Sequence, residues 1–114
     1  MTIRHSDNVS FLEVSGRLTF FESTAFRDAI QGMLHQGHKN IVLNLTGLDY
    51  LDSSGVGELV RNYLAVVKRG GAMRVVGLAP KIEEILKVTH LHQVFPDFTD
   101  EASARASLSP RNDK

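Results

Sequence analysis

The stretch IVLNLTGLDYLDSSGVG, residues 41–57, decides how this chain folds. Residues 41–45 are apolar apart from Asn44, a pattern that predicts a central strand covered on both faces. A short turn follows and brings Ser53 and Ser54 to the predicted start of a helix. Free backbone N–H groups and the positive end of the helix dipole meet at a helix start. A serine there is therefore a good cap, and it also marks a position where a phosphate is tolerated.

Strands and helices alternate on both sides of this stretch. Strands are predicted at residues 2–5, 9–18 with a bulge or bend at Gly16, 41–45, 73–78 and 94–95. Helices are predicted from Ser23 or Thr24 to about Gly37, from Ser54 to Gly70 and Gly71, from Pro80 onward, and at residues 99–108. This alternation predicts a single α/β domain over residues 1–108, with a mixed, mostly parallel sheet of four or five strands and about four helices. A polar tail is predicted at residues 109–114.

The helix that begins near Ser54 has apolar residues at helical spacing. Its predicted core-facing stripe comprises Val56, Leu59, Val60, Tyr63, Leu64 and Val67. Its predicted solvated face comprises Glu58, Arg61, Asn62, Lys68 and Arg69.

Composition excludes several classes of function. The 114 residues include 13 basic and 13 acidic side chains, so the chain has no surplus of basic charge. The composition therefore gives no support to a nucleic acid or an anionic membrane as partner. There is no cysteine, which excludes disulfides, thiol chemistry and thiolate zinc sites. The N-terminal residues MTIRHSDNVS lack the apolar core of a signal peptide, and no run approaches the ~20 apolar residues of a membrane span. We therefore expect a cytoplasmic protein that does not insert into membranes.

Two segments, NLTGLDYLDSSGVGELV and GGAMRVVGLAPKIEEILKVTHLHQVFPDF, carry a family resemblance. In their order and in the Asp-Ser-Ser-Gly motif they resemble the STAS domain of bacterial anti-sigma-factor antagonists, over roughly residues 8–108. The resemblance implies a STAS-like fold and a binding switch instead of an enzyme. It implies that a serine kinase, itself the anti-sigma factor, phosphorylates the first serine of the pair, here Ser53. The unphosphorylated form binds that kinase, the phosphoserine form releases it, and a PP2C-type phosphatase resets the switch.

The motif and its flanks define a candidate partner-binding surface. Its expected members are Asp52, Ser53, Ser54, Gly55, Glu58, Arg61, Asn62 and Phe20. Gly55 and Gly57 are expected to let another backbone approach. A phosphate on Ser53 would add roughly two negative charges next to Asp52. This added charge is expected to repel a docked partner without unfolding the helix. Ser54 is then the structural member of the pair.

The residues before the first helix depart from the family pattern. Antagonists of this family often carry Gly-Glu-Leu-Asp, whereas this chain has Gly16-Arg17-Leu18-Thr19. The reversed charge and the missing aspartate predict a different edge of the docking surface. The following Phe20 and Phe21 are either an exposed binding patch or, more commonly, a pair of which one member enters the core.

Other classes of function have less support in the residues. A serine hydrolase needs Gly-x-Ser-x-Gly at a strand-to-helix elbow, but Leu51 occupies the position of the first glycine. Two histidine pairs, His35 with His38 and His90 with His92, lack the carboxylate or cysteine neighbours of a closed metal site. We therefore predict no metal and no cofactor. The alternative function is a STAS scaffold or transport-accessory module without phosphorylation, and in either case a monomer or weak dimer is expected.

Overall fold

A five-stranded sheet forms the centre of the fold. The structure, a computed structural model, describes residues 1–95, 97–98 and 100–108. The strands of this sheet are β1 Thr2–Ser6, β2 Val9–Glu13, β4 Asn40–Asn44, β6 Ala72–Val76 and β7 Asp97–Phe98, in the spatial order β1-β2-β4-β6-β7. A separate two-stranded sheet pairs β3 Gly16–Leu18 with β5 Leu48–Leu51. The helices are α1 Phe20–His35, α2 Ser53–Lys68, α3 Pro80–Val88 and α4 Glu101–Leu108, with a short 3₁₀ turn at Leu91–Gln93.

The main sheet is mixed and mostly parallel. β1 and β2 form an antiparallel hairpin in which Ser6 pairs with Val9, and Asp7 takes the left-handed φ of +56° that so tight a turn requires. β2 pairs with β4, β4 with β6 and β6 with β7, all in parallel. Parallel neighbours need crossover connections, and α1, α2 and α3 lie in those connections. The predicted α/β class and mixed, mostly parallel sheet are therefore confirmed.

Helices cover both faces of the sheet. On one face, α1, α2 and α3 bury Phe26, Leu59 and Ile82 against the inward side chains of the strands. On the other face, α4 contributes Ala104 and Leu108 to a second cluster with Val9, Phe11, Val42 and Val76. Because β4 is covered on both sides, it consists of the continuous apolar run that the sequence shows.

One predicted strand and one predicted turn are wrong. The strand expected over residues 9–18 is divided, because the chain leaves the main sheet after β2 and Gly16, at φ +81°, begins β3 in the second sheet. The turn expected before Ser53 contains a strand of its own, β5. A strand as short as β5 forms only with a partner, and its partner β3 lies far away in the sequence.

The C-terminal part differs in a similar way. The last strand is Asp97–Phe98 and not residues 94–95, because Phe95 is buried in the core edge to face with Tyr63, their ring centroids 5.4 Å apart. The last helix begins at Glu101. The expected start of this helix at Thr99 and the expected tail at residues 109–114 lie outside the described residues.

Candidate functional site

The pairing of β3 with β5 places the starts of α1 and α2 side by side. Leu18, the last residue of β3, pairs with Leu51, the last residue of β5. The next residue in each segment, Thr19 or Asp52, is the N-cap of the helix that follows. Two helix N-termini therefore open onto the same surface, and each presents backbone N–H groups and the positive end of its dipole.

Asp52 caps α2 and also contacts α1. Its Oδ1 accepts a hydrogen bond from the N–H of Gly55 at 2.8 Å, and its Oδ2 accepts one from the N–H of Phe20 at 3.3 Å. The prediction that Ser53 or Ser54 caps this helix is wrong. Asp52 has the extended backbone of an N-cap, and its charge suits the positive end of the helix dipole.

The two serines are the first two residues of α2. Ser53 is exposed and Ser54 is half-buried. Within the part of the chain that the structure describes, no hydrogen bond holds either hydroxyl. Because Asp52 supplies the cap, the hydroxyl of Ser53 is not needed to cap the helix.

Gly55 has a packing role. It is buried, and a Cβ at this position would overlap the backbone carbonyl of Leu18 and lie 2.7 Å from Cδ1 of Leu51. The expectation that Gly55 admits a partner's backbone is therefore wrong, since its missing side chain lets α2 approach the β3–β5 pair. At Gly57 a Cβ would meet only the guanidinium of Arg61, 3.4 Å away.

A capping box begins α1. The side chain of Thr19 accepts a hydrogen bond from the N–H of Phe21 at 3.2 Å, and the carboxylate of Glu22 accepts one from the N–H of Thr19 at 2.9 Å. The hydrogen bonds from Thr19 also hold the pKa of Glu22 below its ordinary value. α1 therefore begins at Phe20, and the prediction of a cap at Ser23 or Thr24 is wrong.

The two phenylalanines of this first turn are both exposed. Phe20 is 69% and Phe21 84% exposed, and their rings meet edge to face with centroids 5.7 Å apart. The expectation that one of them enters the core is wrong, because α1 begins early enough to place both in its outer first turn. They form an exposed apolar patch beside Asp52.

The departure from the family's Gly-Glu-Leu-Asp pattern has a local explanation. Threonine and aspartate are both N-cap residues, so Thr19 keeps the cap and removes a negative charge. The guanidinium of Arg17 lies over the ring of Tyr50, 5.0 Å from its centroid. This edge of the surface is therefore cationic and aromatic.

A buried carboxylate joins α1 to α2 beneath this surface. The side chain of Glu58 is 1% exposed, and its Oε2 accepts hydrogen bonds from Arg27 at 2.7 Å and from Arg61 at 3.0 Å. Nδ2 of Asn62 donates to Oε1 at 2.9 Å. Hydrogen bonding to Arg27 holds the pKa of Glu58 below its ordinary value against the opposing effect of burial, and Arg61 and Asn62 act in the same direction as Arg27. One ionised acid and two arginines give the cluster one net positive charge.

The solvated face predicted for α2 is wrong at two positions, and the prediction did not include the arginine of α1 that pairs with Glu58. Glu58 and Asn62 are buried, whereas the side chain of Arg61 is 64% exposed. Of these three expected contact residues, Arg61 is the one whose side chain is exposed to solvent. Sequence reasoning did not identify Arg27, because nothing local marks an arginine of α1 as the counter-ion of an acid on α2.

The core-facing stripe predicted for α2 is wrong at Leu64 and Val67, which are 56% and 45% exposed. The buried face runs instead through Gly55, Glu58, Leu59, Asn62 and Val66. α2 has apolar residues on more than one face, so periodicity alone did not show which face packs.

A depression of about 420 Å³ lies between the starts of α1 and α2. Its walls are Phe20, Phe21, Ser23, Thr24, Arg27, Ser54, Glu58 and Arg61. The structure thus brings four of the predicted site residues to one place: Phe20, Ser54, Glu58 and Arg61. Asp52 and Ser53 adjoin them, while Gly55 and Asn62 lie in the packing beneath.

Comparison with known proteins agrees with this architecture. The STAS domain family matches residues 1–104. The chain belongs to the STAS domain family. This STAS protein is 27% identical over 107 residues to the anti-sigma F factor antagonist of Paenibacillus polymyxa, an alignment that covers 93% of this chain and 92% of that one. The relatives support a general role as a binding regulator of the anti-sigma-factor-antagonist type.

Solved structures show the same fold. An anti-sigma factor antagonist from Mycobacterium paratuberculosis superposes with a TM-score of 0.83 at 23% identity, covering 94% of this chain and 91% of that chain. The phosphorylated form of the Bacillus cell fate determinant SpoIIAA superposes with a TM-score of 0.73 at 19% identity, covering 93% and 97%. None of the helices among the described residues of this STAS protein is long and apolar enough to cross a membrane.

Proposed function

We propose that this STAS protein is a phosphorylation-controlled binding switch in a bacterial partner-switching cascade. Its unphosphorylated form binds an anti-sigma factor that is also a serine kinase. The kinase phosphorylates Ser53, the phosphoserine form releases the kinase, and a PP2C-type phosphatase restores the serine. The chain itself catalyses no reaction. A curated relative that is an anti-sigma factor antagonist supports this class of partner.

The observation that carries the proposal is the separation of the cap from the exposed serine. Asp52 satisfies the N–H of Gly55, so Ser53 has no capping duty. Its side chain is exposed at the first position of α2. A kinase can therefore reach this hydroxyl while the helix start stays intact.

Phosphate at this position would act on the surface and not on the fold. A phosphoserine carries about −1.5 to −2 charges, which the N-terminal end of a helix dipole tolerates. It would stand next to the carboxylate of Asp52, so a partner docked there meets both a bulky group and added negative charge. Juxtaposed like charges at an interface cost several kcal/mol, enough to release the partner. A phosphorylated relative with the same fold, SpoIIAA, supports retention of the fold.

The proposed partner surface has direct and indirect members. The direct members are Phe20, Asp52, Ser53, Ser54 and Arg61, with Phe20 and its neighbour Phe21 as exposed aromatic anchors. Three members lie beneath this surface and support it. Glu58 holds Arg27 and Arg61 in place, Asn62 donates a hydrogen bond to Glu58, and Gly55 sets the approach of α2 to β3.

Mass spectrometry of the protein from its native host, prepared with phosphatase inhibitors, tests the proposal. We expect a phosphate on Ser53 that is absent from Ser53→Ala. In pull-downs, Ser53→Ala should retain the kinase and Ser53→Asp should release it, while circular dichroism shows both variants folded. If both variants bind equally well, Ser53 is not a switch, and a scaffold or transport-accessory module becomes the better description.

A further inference from the structure

α2 carries an apolar stripe that the described residues leave partly exposed. Val60, Leu64 and Val67 are spaced by four and three residues, which places them on one side of the helix. Leu64 and Val67 are about half exposed and Val60 is half-buried. The same spacing continues through Gly57 to Ser53. The stripe, Ser53-Gly57-Val60-Leu64-Val67, therefore ends at the proposed phosphorylation site.

The stripe borders a concave surface. Arg61, Leu64, Ala65, Val67 and Lys68 line a shallow depression of about 550 Å³ along the second half of α2. It adjoins the depression between the helix starts, because Arg61 lines both. An apolar ridge beside a shallow groove is the form that one helix offers to another.

The exposed charges of α2 all have the same sign. The helix contains three charged residues, Glu58, Arg61 and Lys68. Glu58 is buried, so its exposed charges are those of Arg61 and Lys68, both positive. The helical spacing of these two residues places them on the same flank of the stripe. The whole chain is neutral, with 13 basic and 13 acidic residues, so this positive flank is a local feature.

We infer that the stripe binds an acidic amphipathic helix of the partner protein, an inference that rests on the proposed function. Aliphatic side chains of that helix pack on Val60, Leu64 and Val67, and its acidic side chains face Arg61 and Lys68. A phosphate on Ser53 stands at the end of the stripe and repels the same acidic helix, which accounts for release by charge.

Two other occupants fit the surface less well. In a symmetric pair of copies, the contact would oppose α2 to itself and bring basic side chains against basic ones. The stripe also lacks the tryptophan and phenylalanine side chains with which a helix enters a lipid interface.

Binding of a designed helix to the purified full chain tests the inference. The probe is a synthetic peptide of about 18 residues, five helical turns, with leucine at every third or fourth position and glutamate elsewhere. Its control has lysine in place of each glutamate. In NMR titrations of the unphosphorylated protein we expect shifts of the methyl groups of Val60, Leu64 and Val67, and at least tenfold weaker binding of the lysine peptide. Leu64→Ser, which removes an apolar contact without adding a charge, should weaken binding of the acidic peptide at least tenfold. Val88→Ser, at a residue of α3 that is 71% exposed, should leave that binding unchanged.

Four outcomes would overturn the inference. The first two are equal binding of the two peptides and equal effects of Leu64→Ser and Val88→Ser. The other two are self-association of the protein that Leu64→Ser abolishes, and sedimentation with anionic phosphatidylglycerol vesicles that Leu64→Ser abolishes. Repeating the titration with phosphoserine at position 53 separates this inference from the proposed function. If the phosphorylated chain binds the peptide unchanged, and Ser53→Ala and Ser53→Asp bind the kinase equally, the proposed switch is excluded and helix binding by the stripe is retained. If phosphorylation releases the kinase but the protein does not prefer the acidic peptide, helix binding by the stripe is excluded and the proposed switch is retained.

Discussion

The carboxylate of Asp52 accepts a hydrogen bond from the backbone N–H of Phe20, 3.3 Å away, and thereby joins the first turns of α1 and α2. The same carboxylate caps α2 through the N–H of Gly55 at 2.8 Å. The contact exists because β3 and β5 end in register, with Leu18 opposite Leu51. An exposed aromatic residue and the proposed phosphoacceptor are therefore held at fixed positions by one side chain between them.

Asp52→Ala should destabilise the protein by about 1–2 kcal/mol, because it removes the cap of α2 and the acceptor for Phe20. Asp52→Asn should reduce the unfolding free energy much less, since asparagine is an equally good N-cap residue. Urea unfolding at neutral pH measures both. Asp49→Ala, at an exposed position of β5, is the matched control and should change stability by under about 0.5 kcal/mol. Equal stability of Asp52→Ala and Asp49→Ala would show that the cap contributes nothing.

Gly55→Ala and Gly57→Ala should have opposite effects on stability. A methyl group at Gly55 overlaps the carbonyl of Leu18, so we expect a loss of about 1–3 kcal/mol. At Gly57 the nearest atoms belong to the mobile end of Arg61, so the gain in helix propensity of up to about 1 kcal/mol should dominate. Thermal unfolding measures this difference: relative to the wild type, the melting temperature should fall for Gly55→Ala and rise for Gly57→Ala. Similar losses at both positions would contradict the packing role assigned to Gly55.

The elements with strong local patterns could be predicted from the sequence. β4 is a continuous apolar run, and the ends of α1 and α2 are marked by Gly37 and Gly70, both at positive φ. The start of α1 was also visible, since Thr19 and Glu22 have the spacing of a capping box. The two phenylalanines between them are also compatible with a core position, so the sequence alone does not decide where α1 begins.

The features that depend on distant residues could not be predicted in this way. β5 needs β3 as its partner, and the burial of Glu58 needs Arg27 from another helix. Neither pairing leaves a local pattern. The sequence therefore indicates where along the chain a candidate site lies, but which of its side chains are exposed depends on the packing of α1 on α2.

The stability that Glu58 contributes should depend on pH in a defined direction. Its pKa in the folded protein is below the ordinary glutamate value of about 4.3, because Arg27 stabilises the charged form. The unfolded chain therefore takes up the proton first as pH falls. The contribution should be complete above the unfolded pKa and should disappear as pH falls through the folded one.

Glu58→Gln isolates this contribution. We expect the variant to be less stable than the wild type at neutral pH, where the wild-type carboxylate is ionised and bound by two arginines. The difference between the two urea unfolding free energies should narrow from about pH 4 downward. A difference that stays constant with pH would mean that folding does not lower the pKa of Glu58.

Phe20→Ser and Phe21→Ser should reduce partner binding and leave the fold unchanged. Both side chains are largely exposed, so each change should alter the unfolding free energy by under about 0.5 kcal/mol. An aromatic anchor at an interface typically contributes 2 kcal/mol or more, so about 30-fold weaker kinase binding is expected. Val88→Ser, at an exposed apolar residue of α3, is the control. Equal kinase affinities of all three variants and the wild type would exclude the phenylalanine patch from the interface.

The most direct test of the central claim is the affinity of two chains for the serine kinase that modifies this protein in its host. One chain carries unmodified Ser53, and the other carries phosphoserine installed at that position during synthesis. Isothermal titration should show at least 100-fold weaker binding of the phosphorylated chain, equivalent to about 2.7 kcal/mol or more, with both chains folded. Equal dissociation constants for the two chains would contradict the account.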